Sequence, residues 1–226
     1  MDREYAQDPE HYLRAFAILQ TDIVKLFEFV EPADTNIETY SFRIHELLMR
    51  TCIELEANFK AILRENIYTP VHHGGHNAGQ LRTETNWNIN DFKIVNKTHH
   101  LDAYEIEFPF WNGAQYRTLK PFEAWRNSQS LTWYQAYNNS KHNRHTRFPE
   151  ANFKNLLHAF AGLLALLSSQ FRTEDFSPGS QGLAIETDRY HRGEFGIGNF
   201  LMIKFPTNWA PEEEYDFDWD QLKSLP

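Results

Sequence analysis

The chain has 226 residues, 41% hydrophobic and 15% aromatic, enough for a sizeable core in one large domain or two small ones. Its formal net charge of −9 argues against broad electrostatic coating of nucleic acid. The longest apolar runs fall far short of the roughly 20 residues of a membrane span. The acidic start MDREYAQDPEHYLR lacks the apolar core of a signal peptide, and the lone Cys52 excludes an internal disulfide. A soluble cytoplasmic protein with no membrane partner is expected.

Asp8–Pro9–Glu10 reads as a helix start, with an N-cap, a proline at the first position and an acid in the first turn. Leu13, Phe16, Ala17, Ile23, Leu26, Phe27 and Val30 recur at helical spacing up to Glu31–Pro32. Thr35 and Glu38 have capping-box spacing. Phe42, Leu48, Met49, Cys52, Leu55, Phe59, Ile62 and Leu63 then trace one stripe to about Glu65. Residues 69–90, rich in Gly, Asn, His and Thr, predict a long exposed loop. From 91 the spacing predicts strand: Phe92 and Ile94, then Tyr104, Ile106, Phe108 and Phe110, with Asn112–Gly113 as a hairpin turn before Gln115–Leu119.

Helix is predicted again after Pro121, at about 130–143, and from Pro149. In the last of these Phe153, Leu156, Leu157, Phe160, Leu163, Leu164, Leu166 and Leu167 cover most of the circumference. Leu183–Thr187 and Phe200–Phe205 read as strands, and 211–220 is an acidic tail dotted with aromatics. The expected fold is mainly α: a bundle of four to five helices with a small antiparallel β insertion and C-terminal strands, an α+β arrangement. One domain over 1–226 is expected, with a helical core at 8–66 and 120–172, a β-hairpin insertion at about 86–119, and strands and tail at 183–226.

Familiar catalytic and cofactor signatures are missing. There is no phosphate loop, no dinucleotide fingerprint around Gly193, Gly196 and Gly198, and no zinc-protease helix, because Met49 stands where the histidine partnering His45 would be. No cofactor is expected. Cys52 lies on the apolar stripe of its helix and reads as a core thiol. His72, His73 and His76, with His99 and His100 further on, form a candidate zinc or nickel set. The competing reading is a solvated loop, since those imidazoles have no cysteine or carboxylate beside them in a glycine-softened backbone.

The strongest local signal is 138–145, Asn138–Asn139–Ser140–Lys141–His142–Asn143–Arg144–His145, directly before the most apolar helix. Within 126–172, the cations Arg126, Lys141, Arg144, Arg147, Lys154 and Arg172 meet a single acid, Glu150. On a helix Asn138 and His142 share a face, as do Lys141 and His145. A histidine beside cations suits a general base, and Lys141 or Arg144 suits stabilisation of phosphorane charge. The neighbouring Trp125, Trp133, Tyr134 and Tyr137 are candidate stacking surfaces. The alternative is that cations and histidines simply complement a helix C-terminus.

The run Trp133-Tyr134-x-x-Tyr137-Asn138-x-x-Lys141-His142-x-Arg144, followed by Phe148, Ala151, Asn155 and the apolar helix 156–167, resembles the helical HEPN superfamily. The resemblance covers roughly 35–66 and 120–172. It implies a bundle of four or five helices, commonly dimerised. Many members are metal-independent endoribonucleases of toxin–antitoxin or anti-phage systems, and others are non-catalytic binders of RNA or nucleotides. Active members carry an arginine, then four to six intervening residues, then the histidine. The corresponding positions before His142 are Gln135, Ala136 and Tyr137.

The expectation is therefore RNA or nucleotide binding through 134–145. Asn138 and His142 would face phosphate, with Arg144 as the third catalytic candidate if the chain cleaves RNA. Lys141, Arg144 and His145 would supply charge, and Tyr134 or Tyr137 would stack a base. The competing expectation is a scaffold or protein-partner module without chemistry, its tail 211–220 docking elsewhere or sealing the basic patch. A two-fold homodimer is expected to bury any apolar surface of helix 149–171 left open, unless the insertion strands cover it.

Overall fold

The computed structural model describes residues 9–171 and 194–210. Four helices, α1 (Pro9–Leu26), α2 (Phe42–Glu65), α5 (Thr132–His142) and α7 (Phe153–Phe171), form a bundle. The short helices α3 (Ile89–Phe92), α4 (Asn96–His99) and α6 (Arg144–Arg147) lie in the connections. The strands β1 (Glu105–Glu107), β2 (Thr118–Leu119), β3 (Glu194–Phe195) and β4 (Met202–Lys204) form one antiparallel sheet in the order β2-β1-β4-β3. The mainly α architecture with a small sheet agrees with the sequence expectation. The predicted strand Leu183–Thr187 and the tail 211–220 lie outside the described residues.

α7 is the centre of the molecule. It packs chiefly on α2 and also on α5, α1 and β1, and its core side chains from Phe153 to Phe171 are buried. Phe16 of α1 stacks on Phe160 with ring centroids 5.1 Å apart. Ile106 of β1 pairs with Leu119 of β2 and Ile203 of β4, closing the end of the core. The apolar circumference of α7 is thus enclosed within one chain. Among the described residues, α7 leaves no broad apolar face open for the two-fold contact expected through it.

Three boundaries differ from the expectation. α1 ends at Leu26 instead of Val30, passing into a hydrogen-bonded turn. α2 begins at Phe42, with the Ser41 hydroxyl accepting from the Ile44 amide, so Thr35 and Glu38 do not form a capping box. The cause is tertiary. Residues 37–40 pass through a turn at Ile37 and Glu38 and a single bridge at Tyr40 instead of joining the helix, and the Ile37 and Thr39 carbonyls accept from the Lys154 and Phe153 amides at 2.9 and 2.8 Å. These are first-turn donors of α7 that its own helix cannot satisfy. Asn152 completes the start by accepting from the Asn155 amide, which places the first turn after Pro149 rather than at it.

The strand expected at Phe92 and Ile94 is instead a run of short helical turns. Asn88 and Asp91 form a capping box, and Phe92 stacks on Phe59 with centroids 5.2 Å apart. Two alternating residues are too few to separate strand from helix. The predicted hairpin exists as β1–β2, but Asn112–Gly113 lies inside a long loop and is not its apex. Asn112 pairs instead with the 32–34 backbone.

Asp34 organises that loop. Its carboxylate accepts from the Trp111 indole at 2.8 Å and from the amides of Ala114, Gln115 and Tyr116 at 3.1 Å each. Gly113 has φ +133, and any Cβ there would collide with the Asp34 carboxylate. The Trp111 hydrogen bond, aided by the three amides and opposed by partial burial, holds the Asp34 carboxyl below its ordinary value of 3.8. A depressed carboxyl stabilises the fold above its ordinary value, and that contribution is lost as pH falls through the folded one. Asp34→Asn should therefore lower the urea midpoint at neutral pH, with the gap to wild type closing as pH drops below 3.8.

Candidate functional site

The 138–147 segment sits where α5 ends. Asn143, at φ −129 and ψ 43, breaks the helix, and α6 restarts at once. Lys141, His142, Arg144, His145 and Arg147 are all exposed. Arg147 pairs with Glu150 at 2.9 Å, and the Lys141 amine donates to the Tyr137 hydroxyl at 3.0 Å. Arg144 and His145 have no side-chain partner among the described residues. The expected cationic surface is therefore open.

The expected aromatic half is not. Tyr134 and Tyr137 are 7% and 1% exposed, packed in the α2–α5 seam. Tyr134 donates to Glu56 at 2.8 Å. Burial, reinforced by the negative charge of Glu56, pushes both phenols above their ordinary range. Neither ring offers a face to a base, so their assignment as stacking residues is corrected to a structural one. Trp125 and Trp133 are core residues as well. The apolar side of α5 must face α2 and α7, and Trp133, Tyr134 and Tyr137 lie on it.

A different set of aromatics meets the cations. Phe42, Arg144, His145 and Phe148 line an open hollow of about 440 Å³. Phe42 is 73% exposed although it opens the stripe of α2. It meets Phe148 at 4.8 Å between centroids, and Tyr40 stands edge-on to Phe148 at 5.8 Å. His45 packs on the same ring at 5.6 Å, and its buried Nε2 has no hydrogen-bond partner. A cationic turn beside exposed rings can hold an anion attached to a planar group. Sequence reasoning missed Phe42 because its spacing marks it as core; the half-buried Phe148, an aromatic three residues after His145, was the available signal.

Asn138 and His142 share a face of α5 as the spacing implied, but neither lines that hollow. His142 has no hydrogen-bond partner among the described residues, so nothing orients its imidazole as a base requires. Cys52 is fully buried, and burial pushes its thiol well up, with Glu56 adding to the effect.

The structure does not gather His72, His73 and His76 into a metal-binding group. Among the described residues, no group of three or more His, Cys, Asp or Glu side chains is placed to hold a metal. The loop is held by other means. Asp91 accepts from Arg82 at 2.7 and 2.8 Å, from Tyr68 at 2.9 Å and from the Asn88 amide at 2.8 Å. Burial would raise the Asp91 carboxyl, but these donors together hold it below its ordinary range. Among the described residues no helix is long and apolar enough to cross a membrane.

No family model matches this chain, and no curated protein or solved structure does either.

If the Tyr134 hydroxyl is structural, Tyr134→Phe should cost stability even though it keeps the ring. A hydrogen bond to a charged acceptor is worth about 1.5–3 kcal/mol, and a loss in that range is expected by urea denaturation. An unchanged midpoint would return Tyr134 to the list of candidate ligand contacts.

Proposed function

We propose that this protein binds single-stranded RNA or a nucleotide through the hollow between the start of α2 and α6. Phosphate lies on Arg144 and His145, and a base lies against Phe42 and Phe148. The observation that carries the reading is that Arg144 and His145, without side-chain partners among the described residues, stand beside a Phe42 ring 73% exposed, at one spot on an acidic chain. Phosphate contacts supply affinity, and a ring face accepts any base. Lys141 and Arg147 extend the charged rim. The HEPN resemblance supports the same class of ligand and implies a binding component of a toxin–antitoxin or phage-defence system.

Binding is favoured over cleavage. The family's arginine positions are Gln135, Ala136 and Tyr137, and His142 has no orienting partner. In this reading Asn138, His142 and Arg144 are not a catalytic set, and Arg144 acts as a phosphate contact.

Fluorescence polarisation with a labelled single-stranded RNA at several salt concentrations tests the proposal. The logarithm of the affinity should fall linearly with that of salt, and Arg144→Ala should lower the slope by roughly 0.7. Phe42→Ala, at an exposed site that spares the fold, should lose about 1–3 kcal/mol of affinity with the slope unchanged. Absent or salt-independent binding would remove the proposal.

A further inference from the structure

A second hollow, of about 420 Å³, adjoins the first across the Phe148–Glu150 turn and has a different chemistry. Glu38, Gln135, Asn139, Glu150, Asn152 and Asn155 are among its walls. The two hollows share their borders. Phe148 lines one, while Pro149 and Glu150 line the other. On the facing side, Tyr40 is bridged to Asn152, and Glu38, Tyr40 and Phe42 are all exposed at alternate positions beyond the buried Ile37. A single track of side chains therefore runs from Glu38 in the polar hollow, past Tyr40, to Phe42 in the aromatic one.

The polar hollow favours a ligand that donates hydrogen bonds. Its two carboxylates are held in place by amides. Asn152 donates to Glu38 Oε2 at 2.7 Å, Asn139 donates to Glu150 Oε2 at 2.8 Å, and Asn155 donates to the Glu150 carbonyl at 2.8 Å. Glu38 Oε1 and the whole Gln135 side-chain amide keep no partner among the described residues. The one cation of this hollow, Lys154, lies over the Tyr116 ring at 5.7 Å. Glu150 is already paired with Arg147 at 2.9 Å, and Glu38 against Lys154 leaves the hollow no surplus of positive charge, so a polynucleotide backbone stays on the Arg144 side. An uncharged edge rich in donors can enter. Glu38 Oε1 accepts from an exocyclic amine, and the Gln135 amide donates to a ring nitrogen beside it.

Resting on the RNA-binding reading above, we infer that the polar hollow reads the base next to the one stacked on Phe42, selecting adenine or cytosine over uracil. Adenine and cytosine pair an amine with an adjacent ring acceptor on the Watson–Crick edge, the edge by which single-stranded RNA is read. Uracil has no exocyclic amine, and its one donor on that edge, N3–H, lies between two carbonyls, so bringing it to Glu38 Oε1 presses a carbonyl toward the carboxylate.

Labelled oligo(A), oligo(C) and oligo(U) of equal length, titrated by fluorescence polarisation at one salt concentration, test the inference. Oligo(A) and oligo(C) should bind at least about fivefold more tightly than oligo(U), the low end of what one bidentate base contact discriminates. The double variant Glu38→Gln with Gln135→Ala should bring that ratio close to one, with thermal melting used to confirm that it is folded. Both residues are exposed, so the fold tolerates the change. A wild-type ratio of one overturns the inference and leaves the RNA-binding reading standing. A wild-type preference that survives in the double variant comes from stacking alone and also overturns it. Failure of all three oligomers to bind removes both readings.

Discussion

The enclosure of α7 is the constraint on which the rest of the structure depends. A helix that is apolar on nearly every side must be covered on every side, and burial of each large side chain contributes about 1.5–3 kcal/mol. α1, α2, α5 and β1 supply that cover within one chain. Burying a helix this deeply creates a second demand, since its first amides have no partner of their own. The Ile37 and Thr39 carbonyls meet it, which keeps 37–40 out of the helix and delays the start of α2 to Phe42. The exposed aromatic at the candidate site is therefore a by-product of how the central helix begins.

Polar groups do the rest of the positioning, and they act at loops more than in the core. Asp34 gathers four donors and fixes the loop between β1 and β2 against the end of α1. Asp91 does the same for the 69–90 loop through Arg82, Tyr68 and the Asn88 amide. Glu56 joins α2 to α5 through the Tyr134 hydroxyl. Each of these carboxylates collects donors from segments distant in sequence, so each holds together parts that hydrophobic packing alone would leave free to slide. The α2–α5 seam matters most for the site, because it sets where α5 stops and the cationic turn begins.

Charge is distributed so that the two hollows divide the work. Arg144 and His145 lie in the open beside Phe42 and Phe148, while Glu38 and Glu150 lie across the Phe148–Glu150 turn. The first sets cationic side chains beside aromatic rings, and the second sets carboxylates among amides. In an acidic chain, cations left without carboxylate partners on an exposed turn carry little stability, because surface ion pairs are themselves worth little. Their value lies in what they can meet from outside.

The sequence by itself determined the helical stripes, the central character of 153–171, the β1–β2 pairing and the location of the cationic turn. Each is a local property: a period, a composition or a run of like charge. It also marked 138–145 as polar and basic; in the structure Lys141, His142, Arg144 and His145 are exposed, while Ser140 is buried. Tertiary structure alone decided which aromatics meet those cations. Tyr134 and Tyr137 are adjacent to the cluster in sequence but turn into the α2–α5 seam, because helical geometry sends positions 133, 134 and 137 to the face opposite 135, 139 and 142. Phe42 lies about a hundred residues away and reads as core by spacing, yet it is exposed because the carbonyls before it serve α7. Likewise Phe92 and Ile94 alternate like a strand, but the Asn88–Asp91 capping box and the stack of Phe92 on Phe59 make helical turns of them. Periodicity reports which face of an element is apolar; the partner that covers it, or leaves it bare, is settled only when distant segments compete for the same backbone hydrogen bonds.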